Sequence, residues 1–154
     1  MIGTAVMTAW QALAMKLPGA AEGGGGRDEA TGESRDPWEQ APTPAKVARK
    51  VLQGVFDRDV PPGKIGLLTN TMHWGYGTSW GALYGLIQGS APGPALRRGL
   101  LFGTGVWAAS YLILVPMGLY EPPWQSSPKE LALDVSYHLA YGAGVGGGYA
   151  AVDR

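Results

Sequence analysis

The sequence predicts an all-α membrane protein with four transmembrane helices, arranged as two tandem helical hairpins, and one short amphipathic helix at the membrane surface. The chain has 154 residues and carries equal numbers of acidic and basic side chains, 12 of each, but it distributes them unevenly. Three windows contain no Asp, Glu, Lys or Arg, and each is long enough for the ~20-residue helix that crosses a hydrocarbon core of ~30 Å. These windows lie between Lys64 and Arg97, between Arg98 and Glu121, and between Asp134 and Asp153.

A repeated pattern, H-x-x-Y-G-x-x-x-G-x-x-Y, supports the arrangement in hairpins. It occurs at residues 73–84 and again at residues 138–149, and it contains the only two histidines of the chain. Gly3-Thr4 likewise recurs as Gly103-Thr104 in the third apolar segment. Self-similarity at a fixed offset indicates an internal duplication. Because each hairpin crosses an even number of times, we expect a pseudo-two-fold axis along the membrane normal that relates the two histidines.

The first predicted element is a transmembrane helix over residues 1–17. This segment is apolar except for a few polar side chains, and at ~1.5 Å per residue it is somewhat short for a complete span, with room for a start upstream of Met1. A signal peptide is the rival interpretation. It is disfavoured because the segment lacks a basic start and because Trp10 and Gln11 interrupt the apolar run.

The next two elements are a flexible loop over residues 18–42 and an amphipathic helix over residues 43–58. The loop contains the run Gly23 to Gly26, prolines and mixed charges, a composition that does not bury enough apolar surface to become ordered. Thr43-Pro44 is a typical helix start, and apolar residues then recur at spacings of three and four. The sequence allows two interpretations of this helix: it lies along a membrane with its bases toward anionic headgroups, or it packs on its own protein.

The remaining elements are three predicted transmembrane helices, over residues 65–88, 99–120 and 131–152. Arg97 and Arg98 mark the boundary before the third span, and Pro116 lies where a kink or an early end is expected. The last span is rich in glycine.

The repeated pattern places its defining residues along one stripe of each helix, since offsets of three, four, eight and eleven return near the same direction at 3.6 residues per turn. Small residues on such a stripe allow two helices to approach closely, and polar ones bond across the contact. The candidate functional or core polar residues are His73, Tyr76, Tyr84, His138, Tyr141, Tyr149 and Asp134; the candidate packing residues are Gly77, Gly81, Gly85, Gly142 and Gly146.

We expect both histidines to be structural, each a neutral imidazole bonded to a nearby polar group. The candidate partners are Tyr76, Tyr141, Asn70, Ser79 and Ser136. One alternative is a polar pathway for protons or a small solute, lined by the histidines, the tyrosines, Thr69 and Asp134, because ionisable residues in a membrane are functional candidates. A third is bis-imidazole ligation of haem. Apart from that alternative no cofactor is predicted, and no metal, because two histidines and one carboxylate leave too few ligands.

Composition narrows the function classes further. The net charge is zero and no basic patch is present, so a nucleic-acid partner is not expected. The chain has no cysteine, which excludes disulfides and thiol catalysis. No nucleophile and base pair is recognisable, so an enzyme is not predicted. The expected role is a structural or interaction component, with membrane lipids and either a second copy of the chain or a membrane-complex subunit as partners.

The C-terminal part of the chain resembles a known family. Met117-Gly118-Leu119 followed by Pro122-Pro123, with His138 at the start of the last span and His73 in an earlier one, is similar to the YagU-like bacterial inner-membrane proteins over roughly the C-terminal two-thirds. The resemblance implies a small multi-pass bundle in the bacterial cytoplasmic membrane. The family has no established biochemical role, so it supplies no catalytic residues. The glycine-rich last span and the long charged first loop depart from the family pattern.

Overall fold

The structure, a computed structural model, describes residues 1–16, 36–88 and 93–152. These residues form five α-helices and one short 3₁₀ turn, with no strand among them. Most of the loop predicted over residues 18–42, including its glycine run, lies outside the described residues. The helices are α1 (Ile2–Ala14), α2 (Thr43–Phe56), α3 (Ile65–Ile87), α4 (Ala95–Leu114) and α5 (Pro128–Val152).

The prediction of four transmembrane helices is wrong. Within the described ranges, no helix combines the length and the apolar character that a membrane crossing needs. Helix α1 has only 13 residues, and α3, with 23, includes Thr69, Asn70 and Ser79 as well as several glycines. Absence of charge in a window is therefore not the same as a strongly apolar window. The same finding contradicts the predicted location as a multi-pass protein of the bacterial inner membrane, and the interfacial helix that belonged to that architecture.

Helix α5 lies at the centre of the bundle. It packs along α4 on one side and along α1 on the other, whereas α3 meets α5 over only a small area and carries α2 on its own surface. A two-fold relation between the hairpins would give α3 and α5 equivalent surroundings. The observed packing is unequal, because α5 is enclosed by two long contacts and α3 is peripheral.

Four glycines allow α4 and α5 to approach until their backbones touch. A Cβ atom added at Gly142 would lie 2.2 Å from the carbonyl oxygen of Gly99 and 3.0 Å from the Cα of Gly103. A Cβ atom at Gly146 would lie 3.1 Å from the Cα of Gly99. Real Cβ atoms do not approach so closely, so this contact requires glycine on both helices.

The bounds of α4 differ from the predicted span over residues 99–120. The helix begins at Ala95, directly after Pro94, and it places Arg97 and Arg98 inside the helix instead of before it. It ends at Leu114 because Pro116 cannot donate a backbone hydrogen bond and clashes with the preceding turn. Gly118 then adopts a left-handed backbone (φ 64°), which turns the chain away.

Helix α5 begins earlier than predicted because of a capping box. The backbone N–H of Ser127 donates to the Glu130 carboxylate (2.8 Å), and the N–H of Glu130 donates to Oγ of Ser127 (3.2 Å). Pro128 occupies the first helical position, where its missing N–H costs nothing. The pattern S-x-x-E was present in the sequence and marks this start.

Helix α2 packs on its own protein. Its inner face joins a small core of Trp38, Ala41, Ala45 and Val60, which also contacts the first turns of α3. The Arg49 guanidinium lies 4.7 Å from the centre of the Trp38 ring, a cation–π contact that fixes the segment before the helix. These contacts favour the packed interpretation of this amphipathic helix over the membrane-surface one.

Candidate functional site

The predicted stripe on α5 is the core of the bundle. Five of its residues are buried, where they face α1, α3 and α4: Asp134, His138, Tyr141, Gly142 and Gly146. Glycines at two of these positions admit the neighbouring backbones, and the three polar side chains lie beside them. The chemistry of the site therefore depends on how those three groups are bonded.

Asp134 joins α5 to α4 through one carboxylate oxygen. Trp107 Nε1 donates to Oδ2 at 2.9 Å, and the Tyr111 hydroxyl donates to the same atom at 3.2 Å. Asp134 is only 9% exposed, so these donors replace the water that a buried carboxylate loses. Burial, and then the Asp134 charge, raise the pKa of Tyr111 well above its usual value. The Tyr111 hydroxyl therefore keeps the proton that it donates.

His138 bonds within its own helix. Its Nδ1 lies 2.9 Å from the backbone oxygen of Asp134 and 3.6 Å from the carboxylate Oδ1 of the same residue. Since a carbonyl oxygen can only accept, Nδ1 carries the hydrogen. The bond to Asp134 therefore fixes the orientation of the imidazole, while the backbone oxygen of His138 faces Gly103 of α4.

His73 bonds to α1. Its Nε2 lies 3.0 Å from Oγ1 of Thr8, and the Thr8 hydroxyl donates to the backbone oxygen of Thr4 at 2.9 Å. Because the hydroxyl hydrogen is already used, Thr8 accepts from His73, and Nε2 carries the hydrogen. Burial lowers the pKa of His73, which favours the neutral ring. Each histidine therefore has a hydrogen-bond partner, His73 on α1 and His138 within α5.

Tyr141 links α5 to α3. Its hydroxyl donates to the backbone oxygen of Gly77 at 2.6 Å, and a Cβ added at Gly81 would lie 3.6 Å from the same hydroxyl. Burial first, and then the charge that Tyr76 would carry, raise the pKa of Tyr141 to about 12. Gly77 also contacts Thr4 of α1. Gly77 and Gly81 of α3 therefore pack in the same core as the stripe on α5.

The rest of the α3 stripe separates into a buried and an exposed part. Tyr84 is buried, with its ring centre 5.0 Å from that of Phe102 and 6.2 Å from that of Tyr149. Tyr76 is 41% exposed, and a Cβ added at Gly85 would meet no atom within 4 Å. The structure therefore brings Tyr84 and Tyr149 together but leaves Tyr76 and Gly85 at the surface.

Several partners in this network were not among the predicted ones. The His73 partner is Thr8, while Asn70 and Ser79 bond to carbonyls of their own helix. Trp10 Nε1 donates to Oγ of Ser136 at 2.9 Å. Isolated Thr and Trp residues carry no sequence signal for such pairing, although Thr4 does belong to the repeated Gly-Thr pair.

The arrangement holds helices together and does not resemble a metal centre. The hydrogen bonds described above join polar side chains to one another and to backbone carbonyls, so each bond ties one helix to a neighbour or orients a ring. Within the part of the chain that the structure describes, no three His, Asp or Glu side chains lie close enough to bind a metal ion.

Comparison with known proteins adds no relative. No protein-family model, no curated protein and no solved structure matches the chain, and nothing in these comparisons bears on the resemblance to the YagU-like proteins, which stays a prediction.

Proposed function

We propose that this chain is an interaction protein that pairs with a second copy of itself through one face of α3. The observation that carries the proposal is the exposure of this helix. Helix α3 has 23 residues, none of them charged, and Tyr84 is its only buried residue. It exposes large apolar side chains, among them Leu67, Leu86 and Ile87, and contiguous exposed apolar surface marks interaction sites in proteins.

The proposed contact is the outward face of α3, which we define by Gly75, Ser79, Ala82 and Leu86. These residues follow one another at spacings of four, three and four, so they share one side of the helix. All four are exposed, and Leu86 is 82% exposed. The groups that bond to the bundle, His73 and Gly77, lie on the opposite side.

A second copy fits this face better than an unrelated partner because the face is self-complementary. Small residues in its middle allow two helices to approach closely, as glycines do between α4 and α5 within the chain. A Cβ added at Gly75 would meet no atom of its own chain within 4 Å, so the space above it is open. Since α3 has no charge, two copies meet without like-charge repulsion in either direction.

The test is the oligomeric state of the purified full chain, measured by sedimentation velocity over a concentration series. We expect a dimer that dissociates on dilution. Ser79→Arg should abolish it, because an isologous contact places the two new charges near each other. Gln125→Arg is the matched control: it adds the same charge at an exposed position in the turn between α4 and α5.

Two results would contradict the proposal. One is a wild-type chain that stays monomeric at the highest concentration; the other is a Ser79→Arg variant that dimerises as tightly as the control. Circular dichroism of both variants checks that the bundle is intact, so loss of dimer cannot be mistaken for loss of fold.

A further inference from the structure

A cavity of about 380 Å³ lies between the end of α3 and the start of α4. Its volume falls within the range of small-molecule sites, ~300–1,000 Å³. Leu101 and Phe102 form part of its apolar wall, and Arg97 and Arg98 also line it. A lining that combines apolar side chains with two arginines suits a molecule that has an apolar part and an anionic group.

Two buried polar atoms in the same cavity also indicate a ligand. The Tyr84 hydroxyl and Oε1 of Gln88 have no hydrogen-bond partner among the described residues, although Tyr84 is 2% and Gln88 5% exposed. Both side chains line the cavity. Native proteins rarely leave such atoms unpaired, so each one indicates a missing partner. Burial raises the pKa of Tyr84, which keeps its hydroxyl protonated and able to donate.

The electrostatics of α4 identify the sign of the ligand. Arg97 and Arg98 lie in its first turn, and that turn contains no acidic residue. Cations at the amino end of a helix oppose the helix dipole, whose positive end is there. The Arg98 side chain is held beside the cavity, since its Nη1 donates to the backbone oxygen of Gln88, a residue of the lining, at 2.8 Å. A bound anion offsets this accumulation of positive charge.

We propose that the cavity binds an amphiphilic anion, with a carboxylate or phosphate headgroup held by Arg97 and Arg98 and an apolar body against Leu101 and Phe102. The Tyr84 hydroxyl donates to the headgroup, and Oε1 of Gln88 accepts from a hydroxyl of the ligand or from the P–OH of a singly ionised phosphate. The site does not depend on self-association, because Tyr84 lies on the side of α3 opposite its outward face.

Calorimetric titration of the purified chain with octanoate and octyl phosphate tests the site, with octanol as the uncharged comparison. We expect saturable binding of both anions, and at least about tenfold weaker binding of octanol, since a charge-assisted hydrogen bond is lost. Arg97→Gln should weaken octanoate binding by about tenfold or more, and Tyr84→Phe by roughly two- to tenfold. Arg58→Gln, an exposed arginine outside the cavity, is the matched control and should bind as the wild type does.

The source of the anion is tested by competition. Vesicles containing phosphatidylglycerol displace octanoate if the headgroup is that of a lipid, and phosphatidylcholine vesicles do not; failure of both to compete assigns the site to free amphiphiles. Either result supports an anion site. The proposal is overturned if neither octanoate nor octyl phosphate binds saturably, if octanol binds as tightly, or if Arg58→Gln weakens binding as much as Arg97→Gln does.

Discussion

The hydroxyl of Tyr141 on α5 donates to the backbone oxygen of Gly77 on α3 at 2.6 Å. That carbonyl already accepts within its helix, and it is accessible from the side because residue 77 has no side chain. The repeated pattern contains both residues, Tyr141 as the first tyrosine of the second copy and Gly77 as the first glycine of the first copy. The two copies therefore meet through unlike positions here and through like positions at Tyr84 and Tyr149, whereas the two histidines bond to other residues.

Tyr141→Phe should destabilise the protein by about 1 kcal/mol, the net contribution of one hydrogen bond, because the ring still fills its place. The free energy of unfolding in urea measures the effect. Tyr76→Phe is the matched control, since Tyr76 lies at the surface, 41% exposed, and its substitution should change stability very little. Equal effects of the two substitutions would contradict a role for the Tyr141 bond.

The same tyrosine predicts how stability changes in alkali. The pKa of Tyr141 is about 12 in the folded protein against 10.0 for a tyrosine exposed to water, so between these values the folded state binds more protons than the unfolded state. The stability that the protonated Tyr141 hydroxyl contributes is therefore complete below pH 10, and it is lost as the pH rises toward 12. The decline in unfolding free energy over this window should be less steep in Tyr141→Phe; an unchanged slope would contradict the prediction.

Gly142→Ala should destabilise the protein by about 3 kcal/mol, the upper end of the cost of overpacking, because the added methyl meets backbone atoms of α4 that have nowhere to move. Gly105→Ala is the matched control on α4 itself. A Cβ there meets nothing within 4 Å, so the substitution should stabilise the helix by roughly 0.5–1 kcal/mol. Urea midpoints of the two variants should move in opposite directions; a stabilising Gly142→Ala would show that the α4–α5 contact is not as close as described.

His73 predicts a loss of stability in acid. Burial lowers its pKa in the folded state below 6.5, so near that value the unfolded chain binds more protons. The stability that neutral His73 contributes is therefore present above pH 6.5. It is lost as the pH falls through the pKa of His73 in the folded protein. His73→Gln keeps an N–H donor for Thr8 but does not titrate. We expect the drop in unfolding free energy from about pH 8 to about pH 5 to be smaller in this variant than in the wild type. Equal drops would contradict it.

The local helices could be predicted from the sequence, but their surroundings could not. Spacings of three and four, Thr43-Pro44 and the capping box at Ser127 determine where helices form, because they act over a single turn. Charge-free windows were misleading, because glycine, threonine and asparagine are uncharged and yet contribute little apolar character. A window must be both uncharged and apolar to predict a membrane span.

At the candidate site, too, the sequence predicts the local arrangement but not the tertiary contacts. The stripe on α5 follows from helical spacing alone, and its residues do share one side. The partners of these helices depend on how they pack in three dimensions. Helix α1 supplies Thr8 to His73 of α3 and Trp10 to Ser136 of α5, and the residue spacing of α1 does not indicate either pairing. Unequal packing of the two hairpins is likewise a tertiary property, which a repeat in the sequence does not reveal.

The position of α5 between α1 and α4 has a consequence for synthesis of the chain. Trp10 and Ser136, which join α1 to α5, are 126 residues apart. At ~5–20 residues per second, α1 leaves the ribosome roughly 6–25 s before that partner exists. Helices α4 and α5 are neighbours along the chain, so they can pair as soon as both have emerged, whereas docking of α1 requires closure of a long loop. We therefore expect α5 to pair first with α4, its neighbour along the chain, and to receive α1 afterwards.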